Sequence, residues 1–415
     1  MKFSTLLATT ALSAAFLTTG AYAETVKLYT WREQEVPLWN YISENDILGA
    51  DIDVEPVLVQ SDNYDTKLRT DIQSNAPDLF QARAGAAWLA SFIDAGIIKP
   101  TSVDLAGIAP AALDSGRGAD GQLYGVPFAI QMQSVIYNTA VFEANGIAVP
   151  TSMAEFDAAA AKLKEAGIVP VVFGGRSGWW LNQVVGEVMT AGLVSDDFAG
   201  KLISGEACFT DPQFVATLEA VKAWQDAGYL NASAMADDYG AMRTSLALGE
   251  AAMMIDGAWS TGPTSPMYEI DPDLKMGFFA LPGDNGKVYA FGDGTYQVNA
   301  NSAKAEIAQK VLDFTATKEF AELFVAQVGE LPAYGGDYTV ENPQLAEVAN
   351  LIATNSSSQT PFFAYALNSG EPSYGTLVAD GYQSLLSGSI TPADLAKKIQ
   401  DGLNSWNYVG TANCQ

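Results

Sequence analysis

Apolar positions recur along this chain with two different periods. TVKLYTW (25–31) and DIDVEPVLV (51–59) are short runs rich in β-branched and aromatic residues, which predict strands. NYDTKLRTDIQS (63–74) has helical spacing instead, and PDLFQAR (77–83) predicts the next strand. The alternation returns further on. PTSMAEFDAAAAKLKEAG (150–167) predicts a helix capped by Thr151 or Ser152, with Glu155 placed to complete a capping box. IVPVVFGG (168–175) predicts a strand ending in glycines, and DPQFVATLEAVKAWQDAGY (211–229) is amphipathic through Phe214, Leu218, Val221 and Trp224 or Gln225. A helix over 240–249, strands over 251–257 and 276–283, and helices over 303–329 and 391–406 complete the pattern.

Strand and helix in alternation predict an α/β fold with a mainly parallel sheet covered on both faces. No internal repeat and no low-complexity linker divides the chain. Two α/β lobes joined by strands that cross between them are therefore expected.

The first residues, MKFSTLLATTALSAAFLTTGAYA, carry one lysine, an apolar run over 6–17 too short to span a bilayer, and Ala21 and Ala23 at a small-x-small site. That predicts an export signal over 1–23, removed near Ala23. No cysteine follows the cleavage site, so no lipid anchor is expected, and no later apolar run has membrane-spanning length.

Composition narrows the chemistry. Lys and Arg number 21 against 48 Asp and Glu, a net charge of −27 that repels nucleic acid and anionic lipid. There is no histidine, which removes Ser-His-Asp and Cys-His catalysis, His-ligated zinc and a histidine general base. Cys208 and Cys414 either form one disulfide tying the C-terminus to the body or remain two buried thiols. The acidic runs DPDLK (271–275) and DSGRGADG (114–121) lack calcium-loop spacing and read as turns. No metal or cofactor is expected.

Six segments together carry a resemblance: YDTKLRTDIQSNAPDLFQ (64–81), DGQLYGVPFAIQMQSVIYN (120–138), GEAAMMIDGAW (249–259), MGFFALPG (276–283), FGDGTYQVNANSAKAEIAQKVLDF (291–314) and LLSGSITPADLAKKIQ (385–400). In this order the chain resembles the carbohydrate-binding proteins of ABC importers, the extracellular solute-binding family that includes maltose-binding protein. The resemblance implies a two-lobed α/β periplasmic-binding fold of type II whose cleft closes on ligand by a hinge motion. It implies crossings near 131–137, 289–294 and 332–337. One lobe would hold 24–132 with 290–334, and the other 133–289 with 335–415. It further implies a monomeric, non-enzymatic periplasmic receptor with a carbohydrate ligand and a membrane permease as partners.

A sugar presents hydroxyls at its rim and C–H groups on its faces, so its site needs flat aromatics and polar side chains together. The resemblance places Trp259, after AAMMIDGA, as a stacking residue, with Asp256 at the same strand end. It puts Trp179 of FGGRSGWW in the cleft, with Trp180 packing behind; Arg176, also readable as a surface arginine, and Ser177 share that loop. In AIQMQSVIY, Gln131 and Gln133 share one strand face and Met132 the other. Trp31, Glu33 and Gln34 follow the first strand, where a βα turn commonly lines a cleft; Trp31 also fits a core position, and Arg32 and Glu35 fit the surface. Gln81 and Arg83 supply polarity in DLFQARAGAAW, where an alanine replaces the tryptophan of the maltose-binding subgroup. That departure predicts a smaller or differently shaped sugar than long maltodextrins. Asp293 lies between glycines that permit close ligand approach, and Tyr334 of LPAYGG lies near the third crossing.

Two other readings use the same residues. One keeps the fold and changes the solute to a sugar acid or a polyamine, with Arg83 and Arg176 suited to an acidic sugar. The other is a secreted glycosidase working with two carboxylates, which needs no histidine but has no motif here.

Overall fold

The computed structural model describes residues 23–357, 366–406 and 414. The leader predicted over 1–23 lies outside the described residues except for Ala23.

Two sheets organise the chain. The first is built from β1 (Glu24–Thr30), β2 (Ile52–Leu58), β3 (Leu79–Arg83) and β4 (Val126–Pro127). The second takes β5 (Ala129–Asn138), β6 (Val169–Val172), β7 (Ala251–Gly257), β8 (Met276–Phe279) and β9 (Tyr289–Gly292). The chain then returns to the first sheet with β10 (Gly294–Val298) and touches the second once more with β11 (Leu331–Pro332). The first sheet runs β2-β1-β3-β10-β4, and the second β11-β5-β7-β6, with β8 and β9 also paired to β5.

The sheets are mixed rather than mainly parallel. β1 pairs in parallel with β2 and β3, but β10 is antiparallel to both its neighbours. In the second sheet β6 with β7 is parallel, whereas β7, β8, β9 and β11 all run antiparallel to β5. The reason is connectivity. Strands that arrive from the other sheet need no helical crossover, so nothing imposes the parallel direction. The chain passes between sheets at Phe128, at Asp293 and just before Leu331. The first passage thus lies upstream of the 131–137 expected from the sequence.

Each sheet has its own core. Trp39, Phe128, Tyr296, Phe320 and Phe324 close one face of the first sheet, the last two from the helix Lys318–Val328. Tyr64, Phe80 and Phe92 close the other face. The second sheet is covered by helices Met153–Glu165, Pro212–Ala227, Tyr374–Leu386 and Pro392–Asn404, whose Phe156, Trp224, Tyr382 and Leu395 join one apolar cluster. β7 is buried at every residue, so its run AAMMIDG carries almost no polar alternation. Ser152 caps the helix Met153–Glu165, and the Glu155 carboxylate receives the Thr151 N–H at 2.8 Å, so the two candidate caps share the work. Cys208 is bonded to Cys414 with Cα atoms 5.5 Å apart, which ties the chain end to the second lobe.

Candidate ligand cleft

A cavity of about 420 Å³ lies between the two sheets, within the range of small-molecule sites. Its first wall comes from the segments that follow β1, β2 and β3, namely Trp31 to Gln34, Gln60 to Asp62, and Arg83, Ala84 and Trp88. Its second wall comes from Gln133 on β5, Ser177, Trp179, Gln183, Tyr239, Arg243 and Trp259, with Phe291 and Asp293 at the junction. β1, β2 and β3 are parallel, so their carboxyl ends open on one side, where the following turns meet the cleft.

The first wall is held by stacking and charge. The Arg83 guanidinium lies 4.7 Å from the Trp31 ring and donates to Asp65 at 3.1 Å, while Trp31 meets Tyr64 edge-on at 5.0 Å. Trp88 stacks on Phe92 at 4.7 Å in the helix after β3.

The second wall is held by a hydrogen-bonded relay. Gly257 lets Trp259 fold back over the backbone, because a Cβ there would sit 2.0 Å from the indole. Trp259 Nε1 donates to Tyr239 Oη at 2.8 Å, and Tyr239 Oη donates to Asp256 Oδ2 at 2.9 Å. Asp256 also receives Ser260 Oγ and the Gly257 N–H. Burial pushes the Asp256 carboxyl up to about 6, against the opposing pull of those hydrogen bonds. Trp179 meets the Tyr239 ring edge-on at 5.0 Å, and Arg243 lies over that ring at 4.4 Å. Tyr239 therefore anchors three neighbours of the second wall.

No arginine on the walls lacks a carboxylate. Arg243 reaches Glu33 across the cleft at 3.5 Å. Arg83 has Asp65, and Arg32 donates to Glu35, Asp293 and Glu330. Burial lowers the affinity of Arg32 for its proton, but the three carboxylates outweigh it and hold the guanidinium charged. Burial raises the carboxyls of Glu35 and Asp293, with Arg32 opposing. Trp88 Nε1, Gln133 Oε1, Arg243 Nε and Thr264 Oγ1, all on lining residues, are buried without a partner.

Of the residues proposed from sequence, the structure brings Trp31, Glu33, Gln34, Arg83, Trp179, Trp259 and Asp293 to this cavity, together with Ser177. Four others do not line it. Gln131 is buried and donates to Glu330, with Gln133 lining the wall in its place. Asp256 sits behind Trp259 rather than facing the cavity. Tyr334 packs its ring against Gly107 and Gly336. Arg176 is 64% exposed and pairs with Asp238. Trp180 is core, with its indole donating to the Ile255 carbonyl at 2.9 Å. Arg32 and Glu35 are buried rather than on the surface, since three carboxylates converge on one guanidinium. The glycines flanking Asp293 serve chain packing: a Cβ on Gly294 would lie 2.3 Å from the Ala82 carbonyl, and one on Gly292 2.8 Å from that of Ala112.

Trp88, Tyr239 and Arg243 escaped the sequence reading. Trp88 stands in the quoted DLFQARAGAAW, in the first turn of the helix Ala86–Asp94. Tyr239 and Arg243 are four residues apart in YGAMR, one face of one helix, yet nothing local says which way that face turns.

The model of the family described as bacterial extracellular solute-binding protein matches residues 44–322. An ABC transporter extracellular-binding protein of Pyrococcus horikoshii is 30% identical over 264 residues, 62% of this chain and 58% of that protein. A multiple sugar-binding protein of Streptococcus mutans is 23% identical over 56% of this chain and 57% of its own length. The chain thus spans less than two thirds of these relatives. Among solved structures, the bacterial solute receptor AcbH, described as having an exclusive preference for β-D-galactopyranose, superposes with a TM-score of 0.79 at 20% identity, covering 92% of this chain and 99% of that one. That likeness establishes the two-lobed periplasmic-binding fold. With more than half its length matched by the family model, the chain belongs to the bacterial extracellular solute-binding protein family.

Proposed function

We propose that this protein is the periplasmic receptor of an ABC importer and that it binds a neutral mono- or oligosaccharide between its lobes. The observation that carries the reading is aromatic. Trp31, Trp88, Trp179 and Trp259, half of the eight tryptophans in the chain, line one cavity alongside Glu33, Gln34, Gln133, Gln183 and Asp293. Flat rings interleaved with amides and carboxylates match a ligand that is apolar on its faces and hydroxylated at its rim. The wall's charge favours a neutral ligand, because Arg32, Arg83 and Arg243 are each already paired. An acidic sugar would have to displace a carboxylate to be received. The names of relatives agree: one is a multiple sugar-binding protein and another structure is that of a β-D-galactopyranose receptor.

On this reading each sheet with its covering helices forms one lobe, with boundaries at Phe128, Asp293 and Leu331 that lie within a few residues of the expected 24–132 with 290–334 and 133–289 with 335–415, and the membrane permease recognises the closed form. A carbohydrate binds without being cleaved. A thermal-shift and calorimetric screen tests this with galactose, raffinose, xylo- and chito-oligosaccharides, galacturonate and spermidine, since a true ligand raises the melting temperature by mass action. Binding of a neutral sugar is expected. A response to galacturonate or spermidine alone overturns the reading, and release of product during long incubation would point to an enzyme.

A further inference from the structure

Arg32 stands two residues past the end of β1 with its guanidinium buried. Its three acceptors come from separate passages of the chain. Nε donates to Glu35, close by in sequence; Nη1 donates to Asp293, the single residue between β9 and β10; Nη2 donates to Glu330, which directly precedes β11. Gln131 on β5 donates to the same Glu330 oxygen that Arg32 holds. The Arg32 guanidinium also lies 4.9 Å from the ring of Phe128, so a single cation touches all three places where the chain leaves one sheet for the other. The cluster is fixed to the first lobe as well, because the second Glu35 oxygen accepts Tyr296 Oη at 2.6 Å and Gln81 Nε2 at 2.7 Å. It also reaches the cleft. Arg32, Gln34 and Asp293 line the cavity, and Gln34 donates to the other Glu330 oxygen at 3.0 Å.

We propose that Arg32 is a positioning residue that couples the cleft to the hinge, acting through Asp293 and Glu330. The proposal rests on the reading of the cavity as a cleft that closes on a ligand. Its physical basis is the fork geometry of guanidinium. Five N–H donors in a fixed plane satisfy several carboxylates in one arrangement of the three passages, a constraint that a point charge does not impose. Asp293 and Glu330 stand at two different passages, so a lobe rotation that turns the backbone at either one carries its carboxylate out of the plane of the fork. Elements with two discrete arrangements are what convert a small contact at a ligand into a domain motion. A group that pulls on Asp293 in the cleft therefore acts on all three passages at once.

The test uses the full ligand-free chain, by hydrogen–deuterium exchange and X-ray solution scattering. In the wild type, peptides covering 128–134, 290–296 and 328–333 are expected to open as one unit, because one network holds them. Glu330→Gln keeps the shape and removes the ion pair. It is expected to speed exchange in those three peptides by about fivefold or more and to increase the radius of gyration, while peptides around Trp39 and Trp224 keep their protection. Arg32→Lys, which retains charge but loses the fork, is expected to give the same pattern. A role limited to folding stability would speed exchange throughout and leave the radius of gyration of the folded fraction unchanged. Independent opening of the three wild-type peptides, or a folded Glu330→Gln protein with unchanged exchange and scattering, overturns the proposal. No sugar enters these measurements, so an empty ligand screen would sink the sugar reading without touching this result.

Discussion

The two walls of the cleft present similar aromatic surface but hold it by different means. On the first wall, Trp31 and Trp88 are fixed by stacking and by the Arg83 cation, contacts that tolerate small displacements. On the second, Trp259 hangs on a chain of directional bonds, from its indole through Tyr239 Oη to the buried carboxylate of Asp256. Directional, buried networks fail abruptly when one member is lost, because the remaining partners are left unpaired. The second wall should therefore be the more sensitive to single substitutions.

The largest expected effect is from Trp259→Ala, which removes a stacking face and leaves Tyr239 without its indole donor. Sugar affinity measured by calorimetry should fall by about tenfold or more, against a smaller loss for Trp31→Ala. Equal losses would erase the contrast between walls. Tyr239→Phe comes next. It keeps the ring that meets Trp179 and Arg243 but deletes the hydroxyl between Trp259 and Asp256. Affinity should fall by about fivefold, with a changed near-ultraviolet dichroism of tryptophan, since a buried acceptor loses a donor worth roughly 1–2 kcal/mol.

Asp256 supplies the pH arm of the comparison. Its folded pKa of about 6 lies above the ordinary 3.8, so the stability it contributes is complete below the lower value and is lost as pH rises through the higher one. Melting temperatures of Asp256→Asn and wild type should accordingly converge toward pH 4 and separate in favour of the variant toward pH 7. A parallel pair of curves would show that Asp256 does not titrate in that window. The smallest effect belongs to Arg176→Ala, which breaks an exposed pair with Asp238 worth little in water, so affinity should change by less than about twofold.

Much of the fold was readable because its signals are local. β7 is legible as an uninterrupted apolar run, and the helix Met153–Glu165 as an alanine-rich segment with a cap. Trp31 could be placed near the cleft because a first βα turn commonly lines one, and Trp259 because its segment resembles the family's. Helix-borne Tyr239 and Arg243 could not, since a helix face is oriented by what it packs against. Gln131 and Gln133 show the same limit: two residues on one strand face parted company because Glu330, far away in sequence, captured the first.

The sequence by itself determined the α/β alternation, the absence of histidine chemistry, the acidic surface and the supply of tryptophan, because each depends on residue type or short-range spacing. Tertiary structure alone decided the rest. It made the sheets mixed, joined Cys208 to Cys414, buried Arg32 among three carboxylates and hid Asp256 behind the ring it supports. Each of these is a meeting of segments distant along the chain, and such meetings are set by how the lobes pack and where strands pass between them.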